Sequence, residues 1–281
     1  MFNINTLPKS LVESADRILN IPDEPAKISQ QQKMIDVDGD MKHTTNSNGD
    51  LIHSTEDGIR NFHRWFGNGL TDEHGRPKVF YHGTNAHEYT GGTIHNFHTR
   101  PNSGRGAAFF SDSHDLASQY GKTVYPVYLR GSNHLHVDAN GRGWSDLDPD
   151  SKISGHPTPE LVNHFGKRAN EMNSLFKDMS ELFPDEPDGN DVKPKLTSDH
   201  TSISHLKLSD LDVGNETDTV AKGARKHGFT GVVFHNVYDS PVHDKNLYDR
   251  KKSTVVAMYN PNDIKSVDNV GTFDPKNGIR G

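Results

Sequence analysis

The 281-residue chain contains no cysteine, which excludes a disulfide framework, a thiolate nucleophile and a zinc–cysteine site. No window approaches the roughly 18 consecutive apolar residues of a membrane helix. Met1 to Ser10 lacks the basic start and apolar run of a secretory signal, so the expectation is a soluble protein of a cytoplasm with no membrane partner. Hydrophobic residues are also scarce, at 31%, where globular domains carry roughly 45–50% with glycine counted in. That shortage predicts one modest core with long polar loops and argues against a large two-domain α/β enzyme. Lys and Arg are outnumbered, giving a formal net charge of -7. Tight nonspecific binding to nucleic acid draws on many cationic contacts to phosphate, and this balance leaves room only for a local basic groove.

What the chain does have begins with a short amphipathic stretch, Leu7 to Leu19, whose Leu7, Leu11, Ala15, Ile18 and Leu19 share a helix face. Alone it is too short to be stable, and it reads either as a frayed end or as a helix that docks on a partner. Ile21 to Asp50 holds Gln30-Gln31-Gln32, repeated Asp, Asn and Gly and few apolar residues, the composition of a disordered linker. Residues 1–50 are therefore expected to stand apart from a domain at 51–270, with a flexible tail at 271–281.

Ser54-Thr55-Glu56-Asp57 fits a capping box with Ser54 as the cap. Phe62, Trp65 and Phe66 then fall at i, i+3 and i+4, an aromatic face that packs a first domain helix onto its core, with Gly67 or Gly69 as the stop. Beyond a polar turn, Lys78 to Thr84 reads as a strand. Pro159 to Phe183 reads as a helix with Leu161, Phe165, Met172, Phe176 and Leu182 apolar. It belongs to a helical insertion at about 155–211 that packs on the sheet edge. His134-Leu135-His136 puts two imidazoles on one strand face, with no third ligand at a zinc spacing; no metal is expected, nor calcium in the acidic loop Asp185 to Asp191.

Three further pieces occur in a telling order. Tyr81-His82-Gly83-Thr84 ends a strand. Gly104-Arg105-Gly106-Ala107-Ala108-Phe109-Phe110-Ser111-Asp112 leads into a helix ending Ala117-Ser118-Gln119-Tyr120-Gly121. A strand Thr254 to Tyr259 continues as Asn260-Pro261-Asn262-Asp263-Ile264-Lys265-Ser266. Together with Trp65-Phe66-Gly67 these resemble the ADP-ribosyltransferases of the histidine–tyrosine–glutamate class, on the diphtheria-toxin and poly(ADP-ribose) polymerase side, most of all the domains in bacteriophage polyvalent proteins. The resemblance runs from about Ser54 to Val267, and Phe110 to Tyr120 keeps the polymerases' interval to the second stacking tyrosine.

The resemblance implies an α+β fold, a split mixed β-sheet with flanking helices and NAD as substrate between the half-sheets. It implies that His82 bonds a ribose hydroxyl of the adenosine half, that the Gly83 backbone holds the nicotinamide carboxamide, and that Thr84 completes the motif. Phe109 and Tyr120 would sandwich the nicotinamide by offset stacking. Phe109 stands where the family often has tyrosine, and Ala117 where the polymerases have a carboxamide-binding serine. Arg100 and Arg105, in the loop where the dinucleotide phosphates would pass, are candidate phosphate contacts.

The family's third residue is a glutamate four positions before the strand-ending aromatic, which here is Val255; no glutamate follows Glu216. The carboxylate then comes from Asp239 or Asp249, or is absent. Asp239 fits better, because Asn236-Val237-Tyr238-Asp239 leaves a strand as in the phage-borne domains; a plain turn aspartate is the other account. The expected function is transfer of ADP-ribose from NAD to a macromolecular acceptor, protein or nucleic acid, with release of nicotinamide. A catalytically weak or inactive phage-associated binding protein, or an NAD glycohydrolase, is the alternative. The implied setting is the bacterial host cytoplasm, or the virion.

Overall fold

The computed structural model describes residues 33–85, 96, 97, 99, 106–182, 195–239 and 251–281. The stretch Leu7 to Leu19, the acidic loop 185–191, Arg100, Arg105 and Asp249 lie outside them.

Residues 33–50 correct the expected linker. Strands β1 (Met34–Val37) and β2 (Asp40–His43) form an antiparallel hairpin around Asp38-Gly39. Both turn residues have positive φ, 55° and 95°, the backbone that makes Asp-Gly a favoured two-residue hairpin turn. Alternation directs Ile35 and Val37 inward, where they are buried with Ile52. The hairpin thus closes over helix α1 (Glu56–Phe66) instead of running free.

Helix α1 is capped by Thr55, not Ser54: the Thr55 hydroxyl accepts from the Gly58 N–H at 3.1 Å. The Gly67 N–H returns to the His63 carbonyl and ends it. Ile59, Phe62, Trp65 and Phe66 are buried on the side facing Tyr128 and Phe273. Phe62 meets Tyr128 edge-on at 4.7 Å and stacks on Phe66 at 4.9 Å. Burying each large ring contributes roughly 1.5–3 kcal/mol, so this aromatic cluster fastens both the hairpin and the helix to the sheet.

Among the described residues the sheet has eight strands. In chain order they are β3 (Phe80–Thr84), β4 (Ala108–Ser111), β5 (Thr123–Leu129), β6 (His134–Asp138), β7 (Ile153–Ser154), β8 (Gly231–Val237), β9 (Ser253–Met258) and β10 (Ile264–Ser266). Their order in space is β10-β5-β3-β4-β9-β8-β6-β7. Every neighbouring pair is antiparallel except β6 with β8. The seams are unequal. β3 and β5 are in register over the five residues from Phe80 to Thr84, whereas β3 and β4 share the single pair Tyr81 and Ser111.

Strand alternation sends side chains to two cores. Val255 and Ala257 of β9 join Val232, Phe234, Leu135 and Val137 under helices α3 (Pro159–Leu182) and α4 (Thr217–Lys226). Val256 and Met258 join Phe80, Phe110, Val127 and Val233 on the other face. Helix α3 reaches the first core through Leu161 and Phe165, while Met172, Leu175 and Met179 further along are exposed. The first half of this helix is therefore core, not an addition at the sheet edge.

The C-terminal segment corrects the expected flexible tail. Phe273 and Ile279 are buried, and the Ser266 N–H donates to the Ile279 carbonyl at 2.8 Å. The wholly buried Lys265 ammonium donates to the main-chain oxygens of Asp274, Asn277, Gly278 and Gly281. Burial holds its pKa below the ordinary value, and the ring of carbonyls gives the cation the acceptors it loses with water.

Candidate active site

The short seam between β3 and β4 is where the sequence places its first two motifs. His82, on β3, packs edge-on against Phe97 at 4.9 Å and tilted against Phe110 at 5.4 Å. Its Nδ1 lies 2.7 Å from the Phe109 carbonyl. A carbonyl can only accept, so Nδ1 carries the proton and Nε2 the lone pair in the neutral ring. The structure thus ties the histidine of the first motif to the backbone of the second.

Gly83 is fixed by a close approach. A Cβ there would stand 1.6 Å from the Ala117 carbonyl oxygen in helix α2 (His114–Tyr120), so no other residue fits while the helix holds its place. The carbonyl of the helix by itself demands glycine. One turn on, Gly121 abuts the Thr84 backbone at 2.1 Å from its own notional Cβ. Strand β3 therefore runs against the second half of α2 and carries His82-Gly83-Thr84 to Tyr120.

Helix α2 is aimed by its ends. Ser113 caps it, its hydroxyl accepting from the Leu116 N–H at 3.2 Å. Ala117 and Leu116 are buried and anchor the inner face. Tyr120, the last helical residue, is half-buried and rests on the same core that Phe109 rests on. Its hydroxyl donates to Asp239 Oδ1 at 2.6 Å. Asp239 follows β8, whose register with β9 shifts between Phe234 and Val237 and whose Asn236 has φ 56°. This irregular exit turns the chain so that the carboxylate meets the tyrosine.

Val255 sits inside the sheet. It pairs with Ser111 on one side and Phe234 on the other and is 4% exposed. It belongs to the apolar cluster that holds Phe234, Val232 and Ala257, where a charged acid is costly to bury. Beside it, Asp112 pins the strand end: its Oδ1 accepts from the Thr254 N–H and its Oδ2 pairs with Lys78, both at 2.8 Å. The sequence gives no sign of that clamp beyond the family-like Ser-Asp at 111–112.

Two histidines outside the motif also come together. His136 Nδ1 and His235 Nε2 are 3.0 Å apart with rings stacked at 10°. Burial pushes His136 down to about 4, with His235 adding to it, and lowers His235 as well. His134, on the same strand face, lies edge-on to His136 at 6.5 Å and is enclosed between Gly131 and Gly231.

The described helices include none long and apolar enough to cross a membrane. Neither a curated protein nor a solved structure matches the chain. The sequence profile described as ADP-ribosyltransferase in polyvalent proteins matches residues 72–273, a span that holds β3, β4, α2, Asp239 and β9. With a mixed α+β fold around an eight-stranded sheet and that match, the chain belongs to the family of ADP-ribosyltransferases found in polyvalent proteins.

Proposed function

We propose that the domain transfers ADP-ribose from NAD to a macromolecular acceptor and releases nicotinamide, in a cleft where two half-sheets part along the β3–β4 seam. The observation that carries this reading is the hydrogen bond from Tyr120 to Asp239, which sets a carboxylate beside the candidate stacking aromatic although the family's glutamate position is Val255. Cleavage sends the electron pair of the C1′–nitrogen bond to nicotinamide and leaves cationic character on the ribose. A fixed carboxylate stabilises that charge as it develops.

The other residues fit supporting parts. Phe109 and Tyr120, half-buried on one core, offer flat faces for the nicotinamide. His82, with Nδ1 tied to the Phe109 carbonyl, is the candidate for bonding a ribose hydroxyl. The Gly83 backbone has no side chain to keep a carboxamide away. Arg100 and Arg105 remain candidates for the phosphates. The setting that suits this reading is a bacterial host cytoplasm or a virion, the setting implied by the resemblance of its motifs to phage-borne domains.

The test is incubation of the purified chain with labelled NAD and host lysate. Label on macromolecule together with free nicotinamide supports transfer. Free ADP-ribose with nicotinamide selects a glycohydrolase, and intact NAD selects a binding protein.

A further inference from the structure

Arg225, on α4, has no carboxylate partner among the described residues and spends its charge on backbone. Its Nη1 donates to the Thr99 carbonyl at 2.6 Å and to the Gly106 carbonyl at 2.8 Å. The guanidinium carbon lies 5.3 Å from the centre of the Tyr259 ring. Tyr259 in turn donates its phenol to the Ala221 carbonyl, one turn earlier on α4, at 2.6 Å. The cation is thus held by an aromatic face that is itself bonded to the helix, and its two divergent Nη1 protons each meet one carbonyl.

The placement matters because Gly106 leads directly into β4. Ala107 and Ala108, the next two residues, are buried, so the chain between Gly106 and Phe109 has little freedom to absorb a shift. Over three residues at about 3.3 Å each, a displacement at Gly106 passes to the Phe109 ring and to the carbonyl that holds His82 Nδ1.

We propose that Arg225 is a positioning residue for NAD binding: by fixing the Thr99 and Gly106 carbonyls against α4 it sets the entry of β4, and with it the Phe109 face and the His82 imidazole. The inference rests on the reading given under Proposed function. Arg225 has the shape for this work, since a planar guanidinium can lie on Tyr259 while two protons of one nitrogen point to separate acceptors; a lysine ammonium offers charge without that plane.

The experiment is calorimetric titration of NAD into the full chain, for the wild type, Arg225→Lys and Arg225→Met, well below each melting temperature. Arg225→Met is expected to weaken NAD binding by about tenfold or more, the order of loss that misplacement of a binding wall brings, with Arg225→Lys between it and the wild type. In a fourth protein, Arg225→Ala, which leaves room for the group, added guanidinium at low concentration is expected to restore part of the affinity. A merely structural arginine would lower the melting temperature and leave the affinity of the folded protein as it was. Unchanged affinity in folded Arg225→Met overturns the inference, and if that variant does not fold, unchanged affinity in Arg225→Lys does so. A wild-type chain that binds no NAD overturns both this inference and the reading beneath it, and is recognised because the reference itself is silent.

Discussion

Tyr120 and Asp239, 119 positions apart in sequence, share a 2.6 Å hydrogen bond from hydroxyl to carboxylate. It joins the last residue of α2 to the exit of β8. Asp239→Asn keeps the shape and reach of the side chain but removes the charge, so nicotinamide release is expected to fall about 10²-fold or more, as for loss of one preorganised electrostatic contact. NAD affinity should stay nearly constant, because an interaction made mainly in the transition state lowers kcat and kcat/KM together. Tyr120→Phe keeps the stacking face and loses only the donor, and should give the smaller loss. Turnover of Asp239→Asn equal to the wild type would remove Asp239 from the site.

His82→Ala removes both the candidate bond to a ribose hydroxyl and the bond from Nδ1 to the Phe109 carbonyl. Activity is expected to fall about 10²-fold, the scale of a misplaced substrate. A folded variant with an unchanged rate of nicotinamide release would discard the site.

The sequence made some of this architecture legible and hid the rest for physical reasons. The i, i+3, i+4 aromatics of α1 and the unbroken apolar run Val255 to Met258 of β9 declare themselves because each is a local pattern, the first set by one buried helix face and the second by a strand buried on both faces. The hairpin at 34–43 went unread because its polar composition outweighed one strong local sign, Asp38-Gly39 between short apolar runs. The C-terminal segment could not be read at all: its anchor is a buried Lys265 whose partners are backbone carbonyls, and carbonyls leave no mark on residue identity. In the site, His82 and Tyr120 are candidates through the resemblance of their motifs to a known family, whereas the meeting of Tyr120 with Asp239 depends on a strand irregularity near Asn236. Arg225 gave no sign, since both of its acceptors are main-chain oxygens.

Val255→Glu would place a carboxylate between Ser111 and Phe234 in an apolar cluster. An ionised or unpaired acid there costs several kcal/mol, and at about 2–4 °C per kcal/mol for a domain of this size the melting temperature should drop by about 10 °C. Scanning calorimetry checks it. An unchanged melting temperature would show that the cluster admits a carboxylate after all, and would reopen Val255 as the place where this chain lost the family's acid.

Deleting the chain before Leu51 is expected to destabilise the domain. The cut removes Ile35 and Val37 from the cluster around Phe62 and takes away Asn46, whose side-chain amide donates to the buried Tyr128 hydroxyl at 3.0 Å. Two buried aliphatic side chains and one buried hydrogen bond amount to roughly 4 kcal/mol or more. A truncated chain that melts cooperatively at the wild-type temperature would show that the hairpin only rests on the surface. Deletion of residues 1–32 alone, which spares every contact named here, is the control.

Acid should weaken the fold through the histidines of β6. His134 is 5% exposed, and burial pushes its pKa from 6.5 down to about 4, with His136 adding to it; His136 is pushed down to about 4 as well. Above pH 6.5 these rings are neutral whether the chain is folded or unfolded, and they give no pH dependence. Between pH 6.5 and 4 the unfolded chain takes up protons that the folded chain refuses, so stability falls as pH falls, at up to about 1.4 kcal/mol per pH unit for each ring. Below pH 4 both states are protonated and the slope from these groups vanishes. Denaturant melts of the wild type and of His136→Gln, taken between pH 7 and 4, read the effect directly. The variant is expected to show the shallower slope, because one of the two titrating rings is gone and the neighbouring charge that opposes protonation of His134 goes with it. Equal slopes would mean that His136 protonates as readily in the folded sheet as in the open chain.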